Sequence, residues 1–205
     1  MKLIAITGTI ASGKSEVCNY IKQRRIPVFD CDGYAHLALL STQPTYSKIV
    51  SAMGEEILDA NKEIDRKKLA SCIFSDEEKR IALNKIVHPF VKEGMLRYAK
   101  RQSEEDVVFV EVPLLFETGW LDLFDAIVVV TCDKEIAIDR MMENRNYSEE
   151  EANARYDSQL DPQVQMDQAD YIITNNGSWS DLKKATSTMI NTYKKRRRSH
   201  GINAA

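Results

Sequence analysis

Near the start of the chain, Gly8-Thr9-Ile10-Ala11-Ser12-Gly13-Lys14-Ser15 places two glycines, a lysine and a hydroxyl at the offsets of GxxxxGK[ST], the phosphate-binding P-loop. Each residue type has a physical role in that pattern. Gly8 and Gly13 let the backbone bend so that consecutive N–H groups, from Gly8 through Thr9, Ile10, Ala11 and Ser12 to Lys14, line an anion cradle at a helix N-terminus. Lys14 brings a point charge to the outer phosphates, and the Ser15 hydroxyl is a ligand for Mg²⁺. The context fits as well: the apolar run Leu3–Thr7 precedes the pattern, and Ser15–Lys22 reads as a helix after it. The chain is therefore expected to bind a nucleoside triphosphate.

Two acidic positions are further candidates. Asp30-Cys31-Asp32 follows a short apolar run, where a carboxylate could accept a proton from an attacking hydroxyl or help organise Mg²⁺. The same residues also suit a helix cap. Val107-Val-Phe-Val-Glu111 is an apolar strand ending in an acid, and Glu111 could orient a water on Mg²⁺. Any buried strand can end in an acid, so that signal is weak alone.

The elements that must position these groups follow from hydrophobic pattern. Five runs rich in Val and Ile, Leu3–Thr7, Pro27–Asp30, Val107–Val112, Ala126–Thr131 and Tyr171–Thr174, read as strands buried on both faces. Helical stretches separate them, which predicts an α/β fold with a five-stranded parallel sheet flanked by helices and ligands at the carboxyl ends of the strands. About 75 residues separate the second strand from the third, far more than a crossover needs. They carry helical patterns at Asp32–Ser41, Thr45–Met53, Arg66–Phe74, Glu77–Val87 and Pro89–Gln102, the last with Pro89 at a favourable first helical position. This predicts a helical insert, about 32–105, suited to holding a second substrate.

Residues 134–168 form a second irregularity. Glu135–Arg145 and Ser148–Gln159 read as two helices joined by Asn146-Tyr147, and Ser148-x-x-Glu151 has the spacing of a capping box. Arg140, Arg145 and Arg155 suit a lid that closes over phosphates, or a solvated face with ion pairs along the helices. The expected core is then 1–31, 106–133 and 169–197, in one domain. A final helix, Ser180–Lys195, presents Leu182, Ala185, Met189, Ile190 and Tyr193 on one side.

Composition bounds the rest. The chain has 205 residues, 43% hydrophobic and 29% charged, enough for a full core without disulfides or metal. A net charge of −3 gives no reason to expect nucleic acid, and no apolar run reaches the length of a membrane span. The N-terminal run reads as a strand and not as a signal peptide. Cys18, Cys31, Cys72 and Cys132 lack metal-ligand spacing and read as reduced thiols of a cytoplasmic protein, three of them buried. The basic run Lys194–Arg198 suits a solvated helix end, or a nuclear signal or polyanion patch. The tail after Ser199 is expected to be disordered.

From Leu3 to about Lys184 the chain resembles the dephospho-CoA kinases. The resemblance rests on linked motifs: the P-loop with Ile10 and Ser12; Asp30-x-Asp32 with Ala35; Ile64-Asp65-Arg66-x-x-Leu69; His88-Pro89; Val112-Pro113-Leu114-Leu115-Phe116-Glu117; Arg140 with Ser148–Ala152 and Arg155; Gln159; and Ala169-Asp170-x-x-Ile173-x-Asn175-x-Gly177. It implies a P-loop NTPase fold with a helical substrate-binding insert and lid. It also implies ATP- and Mg²⁺-dependent phosphorylation of the ribose 3′-hydroxyl of dephospho-CoA, the last step of coenzyme A synthesis. Asp32 would then be the catalytic base, Lys14 the phosphate clamp, Ser15 the Mg²⁺ ligand and Arg140 the lid arginine at the transferring phosphoryl group. Dephospho-CoA would lie near Asp32, His88 and the segment Pro113, Leu114, Leu115, Glu117, and Asn175 and Gly177 would border the adenine.

Some positions depart from the family pattern. Thr9, Ala11 and Glu16 stand where Gly, Gly and Thr are usual, and Ala11 is expected at a backbone angle that a Cβ tolerates. A second lid arginine is replaced by Asn144, with Arg145 one residue off and so turned about 100° around the helix. Gln165 and Met166 replace basic residues. The phosphate side of the lid is therefore expected to be weaker or rearranged. Another small-molecule or nucleotide P-loop kinase would favour a shorter insert and paired arginines after the second strand. A regulatory nucleotide switch would favour an NKxD-type motif, and the chain has neither. The expected state is a monomer or small homo-oligomer.

Overall fold

The computed structural model describes residues 1–74 and 76–194. The chain divides into two compact units, one from 1–28 together with 102 onward, the other from Phe29–Arg101.

In the first unit, β1 (Lys2–Gly8) leads into α1 (Lys14–Gln23), and β2 (Val28–Asp30) begins at the unit's edge. After the second unit come β3 (Val107–Glu111), β4 (Ala126–Thr131) and β5 (Tyr171–Thr174), in a sheet ordered β2-β3-β1-β4-β5. β1 is central and parallel to both neighbours, with Ile4 opposite Phe109 on one side and Ala126 on the other. Ile4, Ala5, Ile6 and Val107–Val110 have no exposure, which explains why alternation is absent from these runs. Against the sheet pack Val17, Cys18 and Ile21 of α1 and Leu182, Met189 and Ile190 of the last helix, Trp179–Tyr193. Each such aliphatic side chain contributes roughly 1.5–3 kcal/mol on burial.

The second unit is helical: α2 (Cys31–Leu37), α3 (Tyr46–Met53), a 3₁₀ turn at Glu55–Ile57, α4 (Arg66–Phe74) and α5 (Glu77–Arg101). Ile49, Met53, Ile57, Ile64, Leu69 and Leu83 form its core. A second contact layer stacks Tyr34 on Phe90, with Phe29 against Tyr34 and Tyr98.

Several boundaries differ from the sequence reading. The two helices expected at Glu77–Val87 and Pro89–Gln102 are one 25-residue helix with Pro89 inside it. Proline removes one hydrogen bond and displaces the carbonyl four residues back; Pro89 lies on the exposed side, where solvent can take up the loss at Lys85. α2 ends at Leu37, well short of Ser41. Two short helices have no counterpart in the hydrophobic pattern: α6 (Leu115–Thr118) after β3, and α9 (Pro162–Asp167), begun by the Asp161 cap and Pro162. Between them lie α7 (Lys134–Arg145) and α8 (Glu149–Asp157), and α8 carries the expected capping box from Ser148 and Glu151. The chain leaves α7 through Asn146, in the left-handed conformation at φ 53°. The last helix, α10 (Trp179–Tyr193), ends before Lys194. Most of the basic run, and the whole tail after Ser199, lie outside the described residues.

Candidate active site

The loop from Gly8 to Gly13 joins β1 to α1. A Cβ on Gly8, whose φ is 150°, would sit 1.9 Å from the carbonyl oxygen of Val130 on the neighbouring strand. Backbone cannot yield there, so β1 and β4 approach this closely only because the residue is glycine. Gly13 precedes α1 in the left-handed conformation, φ 91°, and a Cβ on it would meet the Asn175 amide at 2.4 Å.

Ala11, expected at a backbone angle that a Cβ tolerates, lies instead in the left-handed region at φ 56°. That conformation costs an L-residue about 1–2 kcal/mol, a cost glycine would escape. Its neighbours constrain it. The side chains of Ile10 and Ala11 pack against Ile138, Met141 and Ala152, where α7 and α8 meet.

Side chains from distant segments hold the loop's polar groups. Gln159, just after α8, accepts a hydrogen bond from the Ile10 N–H at 2.7 Å. Arg140 of α7 donates to the Ala11 carbonyl at 3.3 Å and to the Asn175 carbonyl at 3.0 Å. Asn175, buried after β5, donates its amide to the Ser12 carbonyl at 2.8 Å. The hydroxyls of Thr9 and Ser12 are buried and have no hydrogen-bond partner among the described residues.

At the end of β3, Glu111 is buried and accepts a hydrogen bond from the Ser15 hydroxyl at 2.9 Å. The Cys18 thiol lies beside the same carboxylate. Burial, then the Glu111 charge and a hydrogen bond to it, push the thiol well above its ordinary range, so Cys18 stays protonated. The Ser15–Glu111 pair offers two oxygen donors of the kind that hold Mg²⁺ alongside phosphate and water. The weak signal at Glu111 thus meets the strong one at Ser15. Lys14 is half-buried at the first position of α1.

On α7 and α8, the cationic side chains divide their work. Asn144 donates to the Arg140 carbonyl at 2.9 Å and Arg145 is exposed. Arg155 lies over the Tyr147 ring at 4.4 Å, and Lys134 bridges to Asp157 at 2.6 Å. Gln165 is buried on α9, its amide weakly bonded to the Leu160 carbonyl. After β3, Leu115 points into the core with no exposure, whereas Leu114 and Glu117 are exposed and Pro113 accepts from the Thr7 hydroxyl at 3.4 Å. Gly177 lies exposed beside Asp181.

In the second unit, Asp30 and Asp32 separate into two roles. Asp30 is the N-cap of α2 and accepts from the Gly33 N–H at 2.9 Å, which leaves Asp32 exposed in the first turn. His36 of α2 meets the Arg66 guanidinium at 2.9 Å. His88 is half-buried on α5, and burial lowers its pKa from the ordinary imidazole value. What sequence reading misses is a role for Gln159 and the bracing role of Asn175. Gln159 stands in the linked motifs, but the 149-residue separation from Ile10 gives no local signal of contact.

A parallel α/β sheet with the P-loop after its central strand and a strand-end carboxylate bonded to the loop's hydroxyl defines a P-loop NTPase fold. The family model for dephospho-CoA kinase matches residues 2–181. The chain is 42% identical over 193 residues to a dephospho-CoA kinase of Bacillus anthracis, covering 93% of this chain and 96% of that protein. Among solved structures, one from Thermus thermophilus aligns with a TM-score of 0.81 at 31% identity, covering 95% of this chain and 98% of that one. The dephospho-CoA kinase of Campylobacter jejuni aligns at 0.72 and 30%, covering 94% and 96%. The chain belongs to the dephospho-CoA kinase family.

Proposed function

We propose that the protein transfers the γ-phosphoryl group of ATP to the ribose 3′-hydroxyl of dephospho-CoA, giving coenzyme A, in the cytoplasm. The observation that carries this reading is the family match from residue 2 to 181, which takes in the P-loop and the helical unit together. No helix among the described residues is long and apolar enough to cross a membrane.

In this reading the backbone from Gly8 to Lys14 cradles the phosphates, and Lys14 neutralises charge on the transferring group. Ser15 and Glu111 would hold Mg²⁺, which supplies charge neutralisation at the β- and γ-phosphates when bound. Asp32, not engaged as the α2 cap, is the proposed base that takes the proton of the attacking hydroxyl. Arg140 is the proposed lid cation. Asn175 and Gly177 border the adenine, and His88, Pro113, Leu114 and Glu117 contact dephospho-CoA; Leu115 serves this segment by anchoring it in the core. Positioning and electrostatics supply most of the rate.

An ATP-turnover assay with dephospho-CoA, AMP and adenosine in parallel tests the reading. Stimulation by dephospho-CoA alone is expected. Equal stimulation by AMP would move the protein to the nucleotide kinases, and none by any acceptor would leave a binding protein.

A further inference from the structure

Three consecutive residues at the tip of the phosphate loop are held by side chains from three separate segments, and we propose that Gln159 is the positioning residue that sets this tip for phosphoryl transfer. The inference rests on the kinase reading above and extends it to a residue outside the phosphate-binding motif.

Gln159 takes the Ile10 N–H at 2.7 Å, Arg140 the Ala11 carbonyl at 3.3 Å and Asn175 the Ser12 carbonyl at 2.8 Å. Between the first and third of these contacts lies Ala11, at φ 56°. An alanine released from such contacts favours right-handed backbone, and a change of hand at this point would re-aim the N–H groups that follow it in the cradle. The Gln159 contact is the shortest of the three, and the only one of them to a loop N–H. Its own backbone is fixed where α8 ends, through the Gln159 N–H to the Tyr156 carbonyl at 3.2 Å. The packing of Ile10 and Ala11 on Ile138, Met141 and Ala152 joins the same helices to the same loop residues. The chemistry of the side chain suits this position, because an amide oxygen accepts a hydrogen bond without placing a full negative charge beside a phosphate site.

The test compares Q159M, which keeps length and removes the acceptor, with Q159E, which keeps an acceptor. Each is made in the natural chain and in A11G. Hydrogen exchange of the Ile10 amide, followed by NMR without nucleotide, reads the contact directly. Protection should be lost in Q159M and kept in Q159E. Steady-state transfer to dephospho-CoA should show kcat of Q159M down by about tenfold with KM for dephospho-CoA nearly unchanged, the scale of a small misplacement at a reacting centre. Because glycine adopts positive φ freely, the Q159M loss measured relative to A11G should shrink to about threefold or less. Equal losses in the two backgrounds, an unchanged kcat in Q159M, or equal loss of protection in Q159M and Q159E would each overturn the proposal. Failure of the natural protein to phosphorylate dephospho-CoA would instead overturn the kinase reading, and the Ile10 exchange would still report on the Gln159 contact.

Discussion

The two compact units are specified in different ways. In the first, the phosphate loop is set through its backbone: Gly8 lies where a Cβ would be 1.9 Å from a strand carbonyl, and the backbone of the next loop residues is fixed by side-chain hydrogen bonds from segments over a hundred positions away. In the second, side chains meet side chains: Ile49, Met53 and Ile57 interlock, and Tyr34 is wedged among Phe29, Phe90 and the backbone of Gly94. A loop under conformational strain can present a geometry that relaxed chain would not hold, whereas a packed helical unit offers a shaped surface. On the proposed function, changes in the loop should act first on rate, and changes within the helical packing first on stability.

Asp32 could break that division, since it belongs to the helical unit and is proposed to act in the chemistry. Asp32→Asn should lower turnover by about 10²–10⁴-fold, the range for a positioned base, while both substrates still bind. Loss of the acidic limb of the pH–rate profile would mark a base. Rescue by excess Mg²⁺ would mark a metal organiser and overturn the assignment.

Lys14→Ala sharpens the other side. Transfer should fall about 10²–10³-fold, the cost of one well-placed electrostatic donor, with the thermal midpoint little changed. Near-normal turnover would remove Lys14 from the role of phosphate clamp.

Gly94→Ala should do the reverse. Its Cβ would lie 2.2 Å from the Tyr34 ring, which Phe90 and the Arg97 bond to the Tyr34 hydroxyl hold in place. Overpacking costs about 1–3 kcal/mol, and the gain in helix propensity returns less than about 1 kcal/mol. Denaturant unfolding should therefore show a net loss, with ATP affinity retained; a more stable variant would mean the ring moves freely.

The smallest expected effect is on pH dependence. Burial depresses the His88 pKa in the folded state, so the unfolded chain binds the proton more readily. The resulting penalty is absent above the ordinary imidazole range and grows as pH falls through it. His88→Gln should flatten the loss of stability in mild acid, and an unchanged slope would show that other groups set it.

How much of the molecule is legible in its sequence depends on range. The strands at Ala126–Thr131 and Tyr171–Thr174 have the bounds that the pattern predicts. The first is a continuous apolar run because both its faces are buried. The second is an edge strand that exposes Ile172 and Thr174, against the expected burial on both faces, and is legible by its β-branched residues. The capping box at Ser148 is equally local. Pro89 misleads because helix-start preference is a local rule, and the packing that carries α5 through that residue is not. The linear pattern names Lys14 and Ser15, and the family resemblance names Asn175, but neither reveals that Asn175 braces Ser12 or that Cys18 lies against Glu111, and the tolerated angle expected at Ala11 is a left-handed one instead. Those depend on which strands become neighbours.

Sheet order has a consequence for the chain while it is being made. β1 is apolar on both faces, yet its partners are β3 and β4, and Ile4 finds its first opposite number only at Phe109. At typical translation speeds, roughly a hundred residues must be added over about 5–20 s before the first of those partners exists. During that interval the nascent segment carries a naked apolar strand, and the phosphate loop behind it has no frame on which to close. Residues 29–101, within which Ile49, Met53, Ile57, Ile64, Leu69 and Leu83 form a cluster, can condense meanwhile. Synthesis therefore favours an order in which the helical unit is formed first and the nucleotide site, begun earliest, is finished last.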